Sequence, residues 1–185
     1  MLKMFNSFMY SKLEYCSMIW NPHKKEEIDK IERIQRNFTS KIKGLEQMDY
    51  HERLKKLGLY SLERRRERFL IISAWQQLEE IREGVLKLKI GKEGRRRCLR
   101  STTIPTTLDS RYRTVIHHST ARQMERLYNA LPYRLQNIRD VKTDTFKRHL
   151  DRWLRDIPDT PKIDNYGASV SAATNSITNQ KKNKW

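Results

Sequence analysis

The chain has 185 residues, enough for one domain with a modest core, and only 37% of them are hydrophobic against 33% charged. A formal charge of +17 and a pI near 10.1 point to a polyanionic partner, most often nucleic acid. Two cysteines, Cys16 and Cys98, are too few for a disulfide scaffold, and no run approaches the roughly 20 apolar residues of a membrane span.

The apolar start is interrupted by Lys12 and Glu14 and lacks a small-residue cleavage site, so we expect an intracellular protein, nuclear or cytoplasmic, with no membrane partner. Phe5, Phe8, Met9, Cys16, Ile19 and Trp20 recur at spacings of three and four, which predicts one buried helical face with Cys16 as a buried free thiol. Trp20-Asn21-Pro22 forms a corner, because Pro22 donates no amide hydrogen and pushes Asn21 out of helical geometry. A second stripe, Ile28, Ile31, Ile34, Phe38 and Ile42, follows, with Lys24, Lys25, Glu26, Glu27, Lys30 and Arg33 opposite. The two stripes together predict a helical hairpin over Phe5 to Phe38, taken as the nucleus of the fold.

Gly44 is a plausible C-cap for the second helix, Asp49 an N-cap for a short helix to Leu57, and Gly58 its stop. Ser61 opens a long helix to about Glu83 whose apolar positions are Leu62, Phe69, Leu70, Ala74, Leu78 and Ile81. Ile71, Ile72 and Trp75 widen that stripe to more than one side. Val85 to Ile90 alternates apolar and basic residues, and Arg111 to His117 is a second strand candidate, so a small β-hairpin or an extended basic segment is expected near 85–117. Ser119 is an N-cap for a helix carrying Met124, Leu127, Tyr128 and Leu131. A last helix presents Phe146, Leu150, Trp153, Leu154 and Ile157 before Pro158 and Pro161, and the Ser/Thr/Asn-rich tail beyond has little to bury and reads as disordered. The expected fold class is therefore mainly α, in three stretches: helical residues 1–84, basic extended and helical residues 85–157, and tail 158–185.

Charge is spread unevenly: +4 over residues 1–45, +2 over 46–94, +9 over 95–157 and +2 over 158–185. In the third block arginine outnumbers lysine thirteen to two, and a guanidinium can grip phosphate bidentately and stack on bases. Arg95, Arg96, Arg97, Arg100, Arg111 and Arg113 are thus the leading candidates for phosphate contacts, followed by Arg65, Arg66 and Lys12. The plainer readings are a solvated basic surface, a linker or nuclear-import signal at Arg95–Arg97, and ordinary ion pairing of Arg64, Arg65, Arg66 and Arg68 with Glu63 and Glu67 on one helix face.

Catalytic chemistry is missing from the pattern. The nine aspartates contain no Asp-Asp pair of the kind that holds two magnesium ions for nucleotidyl transfer. Cys16 with His23, or Cys98 with His117 and His118, lacks zinc-ligand spacing, and Gly91 to Gly94 lacks the spacing of a phosphate loop. We expect no enzyme, no cofactor and no metal.

Several motifs in series also resemble a known family. They are Leu13-Glu14-Tyr15 with Trp20 and Pro22; Glu32, Ile34, Gln35 and Arg36; Arg53, Leu54, Leu57, Leu59, Ser61, Leu62, Arg65 and Arg66; LYNALP at Leu127 to Pro132; and Phe146-Lys147 with Leu150. Over about residues 8 to 155 the chain is similar to the C-terminal, thumb and post-thumb region of LINE-type non-LTR retrotransposon reverse transcriptases of the jockey and CR1 kind. That resemblance implies a non-catalytic part of an RNA-directed DNA polymerase, without the palm, that holds an RNA, DNA or RNA–DNA hybrid backbone beside a polymerase core encoded upstream. The alternatives are a protein-interaction or self-association module anchored by Phe5, Phe8, Tyr10, Trp20 and Trp75, or the product of a decayed element with no selected function.

Overall fold

Caps place the helices. In the computed structural model, which describes residues 2–22, 24–82, 119–160 and 175–178, every regular element is helical. The first, α1, joins α-helical Leu2–Met4 and Ser11–Glu14 through a π-helical turn at Phe5–Tyr10. Helices α2 (Ser17–Trp20), α3 (Lys25–Thr39), α4 (Tyr50–Leu57) and α5 (Leu62–Arg82) follow. After residue 118 come α6 (Thr120–Asn129), α7 (Tyr133–Gln136) and α8 (Thr143–Arg155). The expected mainly helical class holds, and the strand candidates at 85–90 and 111–117 lie outside the described residues.

Asp49, Gly58 and Ser119 cap as expected, whereas α3 ends at Thr39 with Ser40 as its C-cap, and Gly44, with φ +81°, lies in the turn that follows. Asp49 Oδ2 accepts from the His51 amide at 3.1 Å, which holds the Asp49 carboxyl below its ordinary range, and Ser119 Oγ accepts from the Arg122 amide at 3.3 Å. Gly58 ends α4 with φ +65°, where a side chain would be strained.

The hairpin is not the centre of the fold. Helix α5 is, because its two halves serve two cores. Leu70, Ile71, Ile72, Ala74, Trp75 and Leu78 pack with Met124, Leu127 and Tyr128 of α6, Leu131 just past its end, Leu135 of α7, and Phe146, Leu150 and Leu154 of α8. Trp75 stacks on Phe146 with ring centroids 4.6 Å apart and donates to the Ile138 carbonyl at 3.0 Å. Leu62, at the other end of α5, closes a smaller cluster with Phe5 and Tyr10, against which Ile31 and Phe38 pack. Described helices from before and after residues 83–118 share this core.

Two stripes are rotated from the expected faces. The π-helical turn brings Phe5 and Tyr10, five residues apart, onto one buried side with rings 5.2 Å apart, and leaves Phe8 64% exposed. The chain then kinks at Cys16, whose φ of 51° is left-handed, so Cys16 is exposed and Ile19 is 83% exposed. On α3 the buried residues are Ile28, Glu32, Gln35 and Thr39, whereas Ile34 faces outward. Most of the tail lies outside the described residues. Asn175–Thr178 is described, and Ile177 is fully buried in the larger core.

Candidate functional site

The first turns of α5 concentrate the charged groups of the described chain. Leu62-Glu63-Arg64-Arg65-Arg66-Glu67-Arg68 winds through seven successive positions, so its charges must point in every direction around the helix. Neighbouring elements surround it, and each arginine finds a partner on one of them.

Arg64 is fully buried; its Nη2 donates to the Pro158 carbonyl at 2.9 Å, and its Nε lies 3.8 Å from Asp159 Oδ1. Arg65 Nε donates to Glu14 Oε1 at 2.5 Å, and its guanidinium lies over the Tyr10 ring at 3.9 Å. Burial pushes the Tyr10 hydroxyl up to about 12 in spite of that cation. Arg66 is 4% exposed, donates to Asn21 Oδ1 at 3.1 Å, and faces the charges of Glu32, Glu63 and Glu67; burial lowers its pKa. Arg68 grips Asp151 bidentately, Nε to Oδ1 at 2.5 Å and Nη2 to Oδ2 at 2.8 Å, and that bond raises its pKa.

Carboxylates cover the helix start from outside. Glu32 of α3 accepts from the amides of Leu62 at 3.0 Å and Glu63 at 3.3 Å and from the Tyr50 hydroxyl. A negative group here meets the amide-rich end of α5, while burial still raises the Glu32 pKa. Asp159 accepts from Ser61 N at 2.7 Å and Ser61 Oγ at 2.8 Å. Burial, then the charge of Glu67, pushes Glu63 up to about 8, and burial raises Glu67 as well.

The site residues expected from sequence thus separate into groups. Arg66 is turned inward as a counter-ion and is not a surface contact for phosphate. Arg65 is half-buried and committed to Glu14 and Tyr10. Lys12 is exposed, with Nζ 4.6 Å from the Phe8 ring centre. Arg95, Arg96, Arg97, Arg100, Arg111 and Arg113 lie outside the described residues. The ion pairs expected along α5 itself form instead with Glu14, Asp151 and Asp159 on other elements. Of the expected apolar anchors, Phe5, Tyr10 and Trp75 are buried, whereas Phe8 and Trp20 remain exposed.

Sequence reasoning missed a second basic feature. Arg148, Arg152 and Arg155 stand at i, i+4 and i+7 on α8, so they share one helical face, and all three are exposed. Arg148 donates to the Asp144 carbonyl at 3.4 Å and to Thr145 Oγ1 at 3.3 Å, and Arg155 bonds Tyr60. None of the three forms an ion pair with a described residue, unlike Arg65 and Arg68. The i, i+4, i+7 spacing was the signal that could have found them. Arg155 also lines an open cleft of about 1020 Å³ with Lys55, Arg65, Arg68, Asp151 and Asp159, whose walls carry both signs of charge.

No group of three or more His, Cys, Asp or Glu among the described residues could hold a metal ion, and no described helix is long and apolar enough to cross a membrane. Compared with known proteins, the chain matches no family model, no curated protein and no solved structure at a significant level.

Proposed function

We propose that this chain is a helical, non-catalytic module that binds a nucleic-acid backbone, similar in role to the thumb and post-thumb region of a LINE-type reverse transcriptase. The observation that carries this reading is the division of its cations. Arg64, Arg65, Arg66 and Arg68 are consumed inside by carboxylates and carbonyls, whereas Arg148, Arg152 and Arg155 form an exposed row free of carboxylate partners among the described residues. The net +9 of residues 95–157 lies on the same side of the sequence. Such a row holds phosphates without reading bases, so RNA, DNA and hybrid duplexes bind in common. Arg95, Arg96, Arg97, Arg100, Arg111 and Arg113 extend the contact, Lys12 is a further candidate, and the polymerase core that would supply the chemistry is a separate partner.

Fluorescence anisotropy with labelled RNA, DNA and hybrid duplexes across a salt series tests this. Changing Arg148, Arg152 and Arg155 together to Gln lowers the slope of log affinity against log salt by about 2 to 3, since each lost phosphate contact removes about 0.7 to 0.9. Changing the six arginines between 95 and 113 lowers it further. An unchanged slope in both variants refutes the reading.

One observation favours a second role. Phe8, Tyr15, Ile19 and Trp20 are exposed along α1 and α2, which suits a protein-interaction or self-association face. Sedimentation without nucleic acid separates the two, because a monomer at all accessible concentrations removes self-association.

A further inference from the structure

The tail segment Asn175–Thr178 is held as a bound peptide is held. Two of its main-chain amides donate to side-chain carboxylates one helical turn apart on α5: Asn175 N to Glu63 Oε2 at 3.0 Å and Ile177 N to Glu67 Oε2 at 2.8 Å. Its side chains are matched individually. Ser176 Oγ donates to Glu67, Asn175 Nδ2 donates to Asp159 and reaches Ser61 Oγ at 3.3 Å, and the Asn175 carbonyl lies 3.5 Å from Arg64 Nη2. Ile177 enters the larger core and is fully buried, beside residues of α5, α6 and α8. Two amide donors, a hydroxyl, a carboxamide and one aliphatic side chain are thus recognised within three consecutive residues.

Part of the receiving surface is satisfied by the segment itself. Glu67 is buried, and among the described residues its carboxylate accepts hydrogen bonds from Ser176 and Ile177 of the segment. A buried carboxylate so placed costs stability unless donors reach it, and here the tail brings them. Arg64 likewise spends Nη2 on Pro158 and Asn175 carbonyls, and its Nη1 has no hydrogen-bond partner among the described residues.

We propose that the carboxylate-lined groove formed by Ser61, Glu63, Arg64, Glu67 and Asp159 is a peptide-docking site whose ligand, bound in cis, is the Asn175-Ser176-Ile177 segment of this same chain. The site selects free main-chain N–H donors, a hydroxyl at the middle position and a β-branched aliphatic residue after it. An acidic group at the middle position is rejected, because it would meet the buried Glu67 carboxylate.

The test uses the full-length chain. In the wild type, amide hydrogen exchange followed by NMR shows Ile177 N–H protected at least about 10-fold relative to an unstructured peptide, and Ser176→Asp abolishes that protection while the α5 amides keep theirs. An unprotected Ile177 amide in the wild type, or one still protected in Ser176→Asp, overturns the proposal. A fluorescein-labelled peptide spanning residues 173–180 then serves as the probe in trans. It binds full-length Ser176→Asp saturably, and binds the wild type at least 10-fold more weakly, because the tethered segment competes at an effective concentration on the order of millimolar. Adding Glu67→Gln to Ser176→Asp weakens the peptide at least 10-fold. Equal binding to wild type and Ser176→Asp, or none to either, overturns the assignment.

Discussion

Glu32 is the side chain whose loss the structure makes easiest to quantify. It is 7% exposed and accepts three donors, the Tyr50 hydroxyl and the Leu62 and Glu63 amides, while facing the buried charge of Arg66. Glu32→Ala leaves the Leu62 amide and the Tyr50 hydroxyl buried without an acceptor and takes a counter-charge from Arg66. At about 1 to 3 kcal/mol for each orphaned buried donor, reduced by water entering the space vacated, the expected loss is about 3 to 5 kcal/mol. Glu32→Gln keeps the shape and one acceptor oxygen and costs about 1 to 2 kcal/mol. Tyr50→Phe removes one donor along with the bond it makes and costs about 1 kcal/mol, so the double variant with Glu32→Ala costs less than the sum of the two. Urea unfolding followed by far-UV circular dichroism measures all four, with the m-value as the check that the unfolded state is unchanged. A Glu32→Ala protein within about 1 kcal/mol of the wild type would refute the argument that this carboxylate anchors the start of α5.

Three further outcomes follow from the same region. The Glu63 carboxyl, pushed up to about 8 by burial and then by Glu67, with Glu32 adding to the rise and Arg66 and the Asn175 amide opposing it, holds a proton that the unfolded chain releases near 4.5. The stability it contributes is present below 4.5 and lost as pH rises through about 8, so unfolding free energies of Glu63→Gln from urea titrations should gain on wild type by about 1 to 3 kcal/mol between pH 6 and pH 9, and parallel pH profiles would contradict this. Arg68 and Asp151 link α5 to α8 through a bidentate pair with side chains 26% and 30% exposed, so a double-mutant cycle to Ala should return a coupling of about 1 kcal/mol that shrinks in high salt, and zero coupling would count against it. Cys16 is exposed in the folded chain, so peptide mapping after native-state alkylation should find it modified as quickly as in urea, and protection of Cys16 would contradict the kink at that residue.

The bounds of α4 and the start of α6 were legible because caps and stops act locally, whereas α3 stops at Thr39 before the expected Gly44. Asp49, Gly58 and Ser119 do their work through bonds or backbone angles within a few residues, and the stripe of Met124, Leu127 and Tyr128 on α6 with Leu131 just past it is buried as its spacing requires. What did not follow from spacing was which face wins when polar neighbours are available. On α3 the buried stripe runs through Glu32, Gln35 and Thr39 because Tyr10, Tyr50, Tyr60, Arg53 and the amides of α5 supply hydrogen bonds there. On α1 the π-helical turn changes the angular step, so a count by threes and fours puts Phe8 inside when it lies outside.

The candidate site divides along the same line. Composition alone established a large arginine excess and its bias toward residues 95–157, because charge counting needs no coordinates. Which arginines remain available to a partner was decided only by folding. Arg66 turns toward glutamates from its own helix and from α3, Arg65 and Arg68 are bound by carboxylates 51 and 83 residues away in sequence, and Arg148, Arg152 and Arg155 face outward. An arginine's charge is fixed by its chemistry, but whether that charge is spent depends on what the chain brings within about 3 Å of it, and no linear pattern carries that distance.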